Sequence, residues 1–163
     1  MKKIFIGIIV VVVIGVGGIF AVRFSAHNTP VVLSDGQHLG FIRSFSEGMI
    51  YFDDAVWLTG RAGEDAAIRA GICTEQTRVD CLPNDYFIEN VDTTAVPIAL
   101  SADMTVTMQT WKMSETGDVA DYPISASEFF ILINNKGQHW NTLPYTITVH
   151  YGIVTDIREV YIP

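Results

Sequence analysis

The chain has 163 residues, 49 % of them hydrophobic, and carries 18 acidic residues against 10 lysines and arginines. That length supports one domain once the N-terminal stretch is set aside. All 18 acids follow Arg23, where seven basic residues oppose them for a net charge of −11. A body this acidic repels phosphate backbones and anionic surfaces, which argues against nucleic acid as a partner.

The apolar excess lies at the N-terminus. Ile4 to Val22 is an uninterrupted uncharged run behind Lys2 and Lys3. At about 1.5 Å per residue it approaches the roughly 30 Å hydrocarbon core of a bilayer. The two lysines outweigh Arg23, so residues 1–23 are expected to form a transmembrane anchor with the N-terminus cytoplasmic and the body extracytoplasmic. The lipid bilayer is then a partner through residues 4–22. A cleaved signal peptide is the rival reading, but its apolar region is normally about 7–15 residues, and Phe24-Ser25-Ala26 is a poor cleavage site. Both readings export the body.

Residues 24–37 read as a tether, with Pro30 and Ser34-Asp35-Gly36 as breakers. The domain then spans 38–163. A hairpin is expected from His38–Phe45 and Met49–Leu58 around Ser46-Glu47-Gly48, with Leu39, Phe41 and Phe45 on one face and Ile50 and Phe52 on another. Thr59 is placed to cap a short helix with a small surface of Ala62, Ala66, Ala67 and Ala70, and Gly71 to end it. Cys73 and Cys81, outside the cytoplasm, are expected to form a disulfide with Cα atoms about 4.4–6.8 Å apart. Their spacing suits neither a redox C-x-x-C pair nor zinc.

Pro83-Asn84-Asp85 turns into a strand from Tyr86 to Val91. Another strand follows Pro97, with Met104, Val106 and Met108 alternating, and Lys112–Tyr122 is a polar loop. Ser125 or Ser127 caps a second helix, in which Phe129, Ile133 and Phe130 face inward and which Gly137 ends. Tyr145, Ile147, Val149 and Tyr151 then alternate with polar residues in a closing pair of strands. The expected fold is mainly β (α+β): an OB-like antiparallel barrel of five or six strands with two short helices.

Three pieces together resemble a group of small exported bacterial envelope domains. They are Gly48–Gly60 (G-x-I-x-F-D-x-x-x-W-L-T-G), Asn84–Asn90 (N-D-Y-Y-I-x-N in that group, with Phe87 at the second tyrosine here) and Val149–Pro163 (V-x-x-G-x-V-x-x-I-x-E-x-Y-x-P). The resemblance covers roughly residues 40–163. It implies a membrane-tethered or lipid-anchored envelope domain and brings no activity. Phe87 and both cysteines depart from the pattern.

Asp53, Asp54, Asn84 and Asp85, with Asn90, form the polar cluster to consider for a site. Two acids at a strand end beside an Asn-Asp turn could gather oxygen ligands for Ca²⁺ or act as paired carboxylates on a glycan. The plainer reading is that Asp and Asn bond nearby backbone N–H groups in turns. Alternation sends Asp53 and Asp54 to opposite faces, so at most one joins the Asn84-Asp85 turn. Trp111 and Trp140 adjoin loops and are the candidates for a sugar-stacking platform. No nucleophile motif, zinc spacing or calcium loop is present, so no catalytic residue, metal or cofactor is assigned. The function expected is a binding or interaction module whose partner is an envelope protein or a glycan. The rivals are an envelope hydrolase using Asp53 or Asp54 with Asp85, and a structural subunit of a membrane complex.

Overall fold

The computed structural model describes residues 33–135 and 139–162. The expected anchor at Ile4–Val22, most of the tether and Gly137 lie outside them. Among the described residues no helix is long and apolar enough to cross a membrane.

The domain is mainly β, with seven strands in one sheet and a few short helices. In chain order these are β1 (Gly36–Ser46), β2 (Met49–Thr59), α1 (Gly60–Arg69), β3 (Tyr86–Glu89), β4 (Val96–Met108), α2 (Met113–Thr116), β5 (Tyr122–Pro123), α3 (Ala126–Asn134), β6 (Pro144–His150) and β7 (Ile153–Glu159). The lateral order is β3-β2-β1-β6-β7-β4-β5, and β2 pairs additionally with β4. The pairings therefore run from β1 through β2, β4, β7 and β6 and return to β1. All are antiparallel except β4 with β7, which run parallel. An all-antiparallel arrangement is thus corrected at that one ladder.

Both tight hairpins use two-residue turns in left-handed backbone, Glu47-Gly48 and Tyr151-Gly152, the geometry that matches strand twist. Ile50 and Phe52 are buried as the alternation requires, and so are Tyr145, Ile147 and Val149. Tyr151 is not the next member of that face; it lies in the turn and is exposed. In β1 the inward residues are Gly40 and Ile42, whereas Leu39 and Phe41 are half-buried on the other face. The register slips between Ile42 and Ser44, a bulge at Arg43. The extra residue reverses the alternation, so Phe45 packs against the core while Phe41 does not follow it inward.

The core joins Ile42, Phe52, Met108, Ile147 and Ile157 to Phe129, Leu132 and Ile133 of α3. Each such side chain, fully buried, contributes about 1.5–3 kcal/mol. Ser125, not Ser127, caps α3 through a reciprocal box with Glu128. At the other end of α3, Asn134 imitates a strand partner, bonding the backbone N–H and C=O of Phe45 at 3.1 Å each.

Helix α1 packs on β2 and β3 through Gly63, Ala66 and Ala67, while Ala62 and Ala70 stay exposed. Gly71 ends it in left-handed backbone, with the N–H groups of Gly71 and Ile72 returning to Ile68 and Ala67. Cys73 and Cys81 stand at disulfide distance, Cα atoms 5.9 Å apart. Arg78 fastens the same loop to α1, reaching Asp65 at 2.5 Å and Glu64 at 3.3 Å while holding Glu75 at 2.8 Å.

Gly40 has a requirement that no other residue meets. A Cβ there would lie 2.2 Å from the Asp53 carbonyl oxygen and 2.7 Å from the Phe52 ring. Gly40→Ala is expected to cost about 3 kcal/mol or more, since neither backbone nor a buried ring can yield cheaply. Urea unfolding measures this; an unchanged midpoint would show that the strands can part without loss.

Candidate functional site

Strand β2 divides its second edge between two partners. Met49–Phe52 pair with β4, and Val56–Thr59 pair with β3. Asp53 stands at the changeover and is 0 % exposed. Its Oδ2 accepts from Arg43 Nε (2.9 Å), Arg43 Nη2 (2.6 Å) and Asn90 Nδ2 (3.0 Å). The bulge is what turns Arg43 toward it, and the Arg43 guanidinium also lies 4.6 Å from the Phe41 ring centroid. Asp53 Oδ1 and Asn90 Oδ1 are sealed from solvent without a partner among the described residues.

Asp54 points the other way, half exposed, with His38 Nδ1 3.8 Å from its carboxylate. Asp85 serves the start of α1. Thr59 holds the capping position but its hydroxyl makes no capping bond. The Gly60 N–H instead donates to Asp85 Oδ1 at 3.2 Å and to the Asp85 carbonyl at 3.4 Å. Asn84 is exposed beside it. From Asp53 to Thr59 the strand advances about 20 Å, and Thr59 pairs with Tyr86 next to Asp85. The four candidates are therefore not gathered. Asp53 belongs to an ion pair, Asp54 to the opposite face, and Asp85 to a helix start. Among the described residues no group of three acids, histidines or cysteines could hold a metal.

What does meet is one motif with another. Asp53 bonds Asn90, the Trp57 ring stacks on Tyr86 (centroids 4.3 Å, planes 21° apart), and Gly60 bonds Asp85. Residues of the Phe52–Gly60 piece thus find partners in the Asn84–Asn90 piece along the β2–β3 ladder. Diagonal cross-strand aromatic contacts of this kind contribute roughly 0.2–1 kcal/mol.

The tryptophans divide differently from the expectation. Trp140 is only 8 % exposed and sits in the core, with its backbone C=O accepting the Tyr145 hydroxyl at 2.8 Å. Trp111 tilts against it at 5.8 Å and packs on the same core. Trp140 is thus a core residue and Trp111 is half-buried beside it. Trp57 instead lines an open groove of about 380 Å³ with Gln37, Leu39, Thr146 and Val160. A second hollow, of about 470 Å³ between the end of α1 and β3, is flanked by the Arg69–Glu89 ion pair at 2.7 Å.

The sequence reading also missed Glu159. It is buried at the end of β7, and its carboxylate accepts from the backbone N–H of Gln109 (2.8 Å), that of Thr110 (3.1 Å) and the Thr110 hydroxyl (2.5 Å). Gln109 Oε1 accepts from the Tyr161 N–H at 2.9 Å. The spacing of two from Ile157 was the signal that Glu159 shares the inward face of this strand. Burial, reinforced by the Glu159 charge, pushes the neighbouring Tyr145 phenol far above its usual range.

Comparison with protein-family models, with curated proteins and with solved structures returned no match to this chain.

Two outcomes follow from these pairings. Arg43→Met leaves the buried Asp53 charge unpaired and is expected to cost about 3–5 kcal/mol, whereas Arg43→Met with Asp53→Asn costs distinctly less. Chemical denaturation of the two variants decides it; a double variant as damaged as the sum of its parts would show no coupling.

The second outcome concerns acid. A hydrogen bond from Arg158 holds the Asp121 carboxyl below its usual range; one from Arg78 does so for Asp65, and one from Ser125 for Glu128. Such a carboxylate stabilises the fold above its unfolded pKa, and that contribution is lost as pH falls through the folded value. The melting temperature should stay nearly level from pH 7 to about 5 and drop below about pH 4, less steeply in Arg158→Gln. Melting that improves on acidification would contradict this assignment.

Proposed function

We propose that the chain is a membrane-tethered, extracytoplasmic binding module whose body is a five-stranded OB-like barrel and whose ligand is a neutral oligosaccharide of the cell envelope. The barrel reading rests on the closed circuit β1–β2–β4–β7–β6, with α3 between β4 and β6 contributing Phe129, Leu132 and Ile133 to its core. The tether reading rests on the apolar run Ile4–Val22 behind Lys2 and Lys3.

The groove against Trp57 carries the functional reading. Its lining combines Trp57, whose ring also stacks on Tyr86, with Leu39 and Val160, and its polar residues are Gln37 and Thr146. Ligand sites are mostly apolar with a few polar groups that fix orientation. An indole face suits the C–H face of a sugar ring, and amide and hydroxyl groups match its hydroxyls. The net charge of −11 after Arg23 turns away phosphorylated ligands. The hydrolase reading finds no support in the pairings, since Asp53 is committed to Arg43 and Asn90, Asp54 turns to the opposite face of β2 beside His38, and Asp85 is committed to Gly60.

An NMR titration of the full chain with a neutral N-acetylglucosamine tetramer tests the proposal. The Trp57 indole N–H is expected to shift saturably while those of Trp111 and Trp140 hold. Gln37→Ala with Thr146→Val should weaken binding about tenfold, or roughly 1.4 kcal/mol. Saturable shifts confined to other residues, or none at all, would reject the groove.

A further inference from the structure

The turn joining β6 to β7 carries an unexpected residue. Tyr151 and Gly152 both occupy left-handed backbone, with φ of 51° and 73°. Asn or Gly takes the first of these positions at little cost, whereas a bulky residue there is strained. The fold gains little in return, because Tyr151 is 84 % exposed and its ring leans on the His150 imidazole, centroids 4.2 Å apart. Ile153, just beyond the turn, is also exposed. The β1–β2 turn holds Glu47 in the same backbone region, but a charged side chain is at home in water.

The place of this tip in the fold points to its partner. Strand β1 begins at Gly36, which pairs with Val149, and Asp35 Oδ2 lies 3.4 Å from His150 Nδ1. The chain therefore enters the domain beside the tip, coming from the segment that leads to Ile4–Val22. From Arg23 to Asp35 that segment can span at most about 45 Å. We infer that Tyr151 and Ile153 rest in the interfacial layer of the same bilayer that holds Ile4–Val22. This rests on the tether reading proposed above. Tyrosine favours that layer because its ring is apolar and its hydroxyl stays wet. The contact is weak alone, but a short tether supplies a millimolar effective concentration. The acidity of the body makes a zwitterionic surface the suitable one.

The full chain in phosphatidylcholine nanodiscs, with a spin label on the lipid headgroup, tests the inference. The Tyr151 ring resonance is expected to lose most of its intensity, while that of Tyr122, which pairs with Met108 at the far end of β4, keeps it. Tyr151→Asn should reduce the broadening of the Ile153 methyls and raise the melting temperature by a few degrees, because Asn suits the turn. Equal broadening of Tyr151 and Tyr122, or a lowered melting temperature in Tyr151→Asn, would overturn the inference. So would a crosslink from Tyr151 to a protein in native membranes without lipid broadening. A chain that stays with the soluble fraction on flotation sinks the tether reading instead, so the two failures are distinguishable.

Discussion

A strand whose first edge is taken has one edge left, and β2 divides that edge between two partners. Where β4 leaves off and β3 begins, the backbone must be steadied by side chains. Asp53 does this from within, drawing Arg43 from one neighbouring strand and Asn90 from the end of another. The arrangement is sensitive because a carboxylate sealed from water is tolerated only while its partners stay in place. Gly40 belongs to the same constraint, since its missing side chain lets β1 lie close enough over Asp53 and Phe52. The bulge at Arg43, the glycine and the buried acid thus satisfy one geometric demand together.

The far end of the sheet is fixed by a similar device with different chemistry. Strands β4 and β7 run parallel, so no tight turn ties them. Glu159 supplies the tie by accepting two backbone N–H groups and a hydroxyl from the chain leaving β4. The exposed Asp156–Thr105 bond joins the same two strands, and Arg158 of β7 pairs with Asp121 just before β5. Charge-assisted bonds to backbone donors are among the stronger ones available to a carboxylate. The polar residues at this edge set register more than they recognise anything.

Much of the outline was legible because its signals are local. The alternation from Tyr145 to Val149, the Ser125–Glu128 box, Gly71 and the spacing of the cysteines each involve neighbours in the chain. The larger failures are non-local. A bulge shifts a period of two by one residue, so the inward face of β1 could not be read past Arg43. The role of Asp53 depended on Asn90, and the place of Trp140 in the core depended on Trp111 and on Tyr145 of β6. Trp57 sat in the best-marked motif, yet its groove is assembled from β1, β6 and the chain after β7. The cluster expected at one strand end, Asn84-Asp85 with Asp53-Asp54, was separated by the length of the strand between them.

The closed circuit of strands also sets an order of events as the chain is made. A polypeptide emerges N-terminus first, and the β1–β2 hairpin and the Cys73–Cys81 loop need only nearby residues. The second edge of β1 has no partner until Pro144–His150 arrives, and β4 waits longer still for Ile153–Glu159. Through that interval two open strand edges stand exposed to other chains, the condition under which β-proteins aggregate. Non-local closure of this kind is intrinsically slow. Truncation within the last strand would therefore leave a chain with most of its hairpins in hand and no means of sealing them.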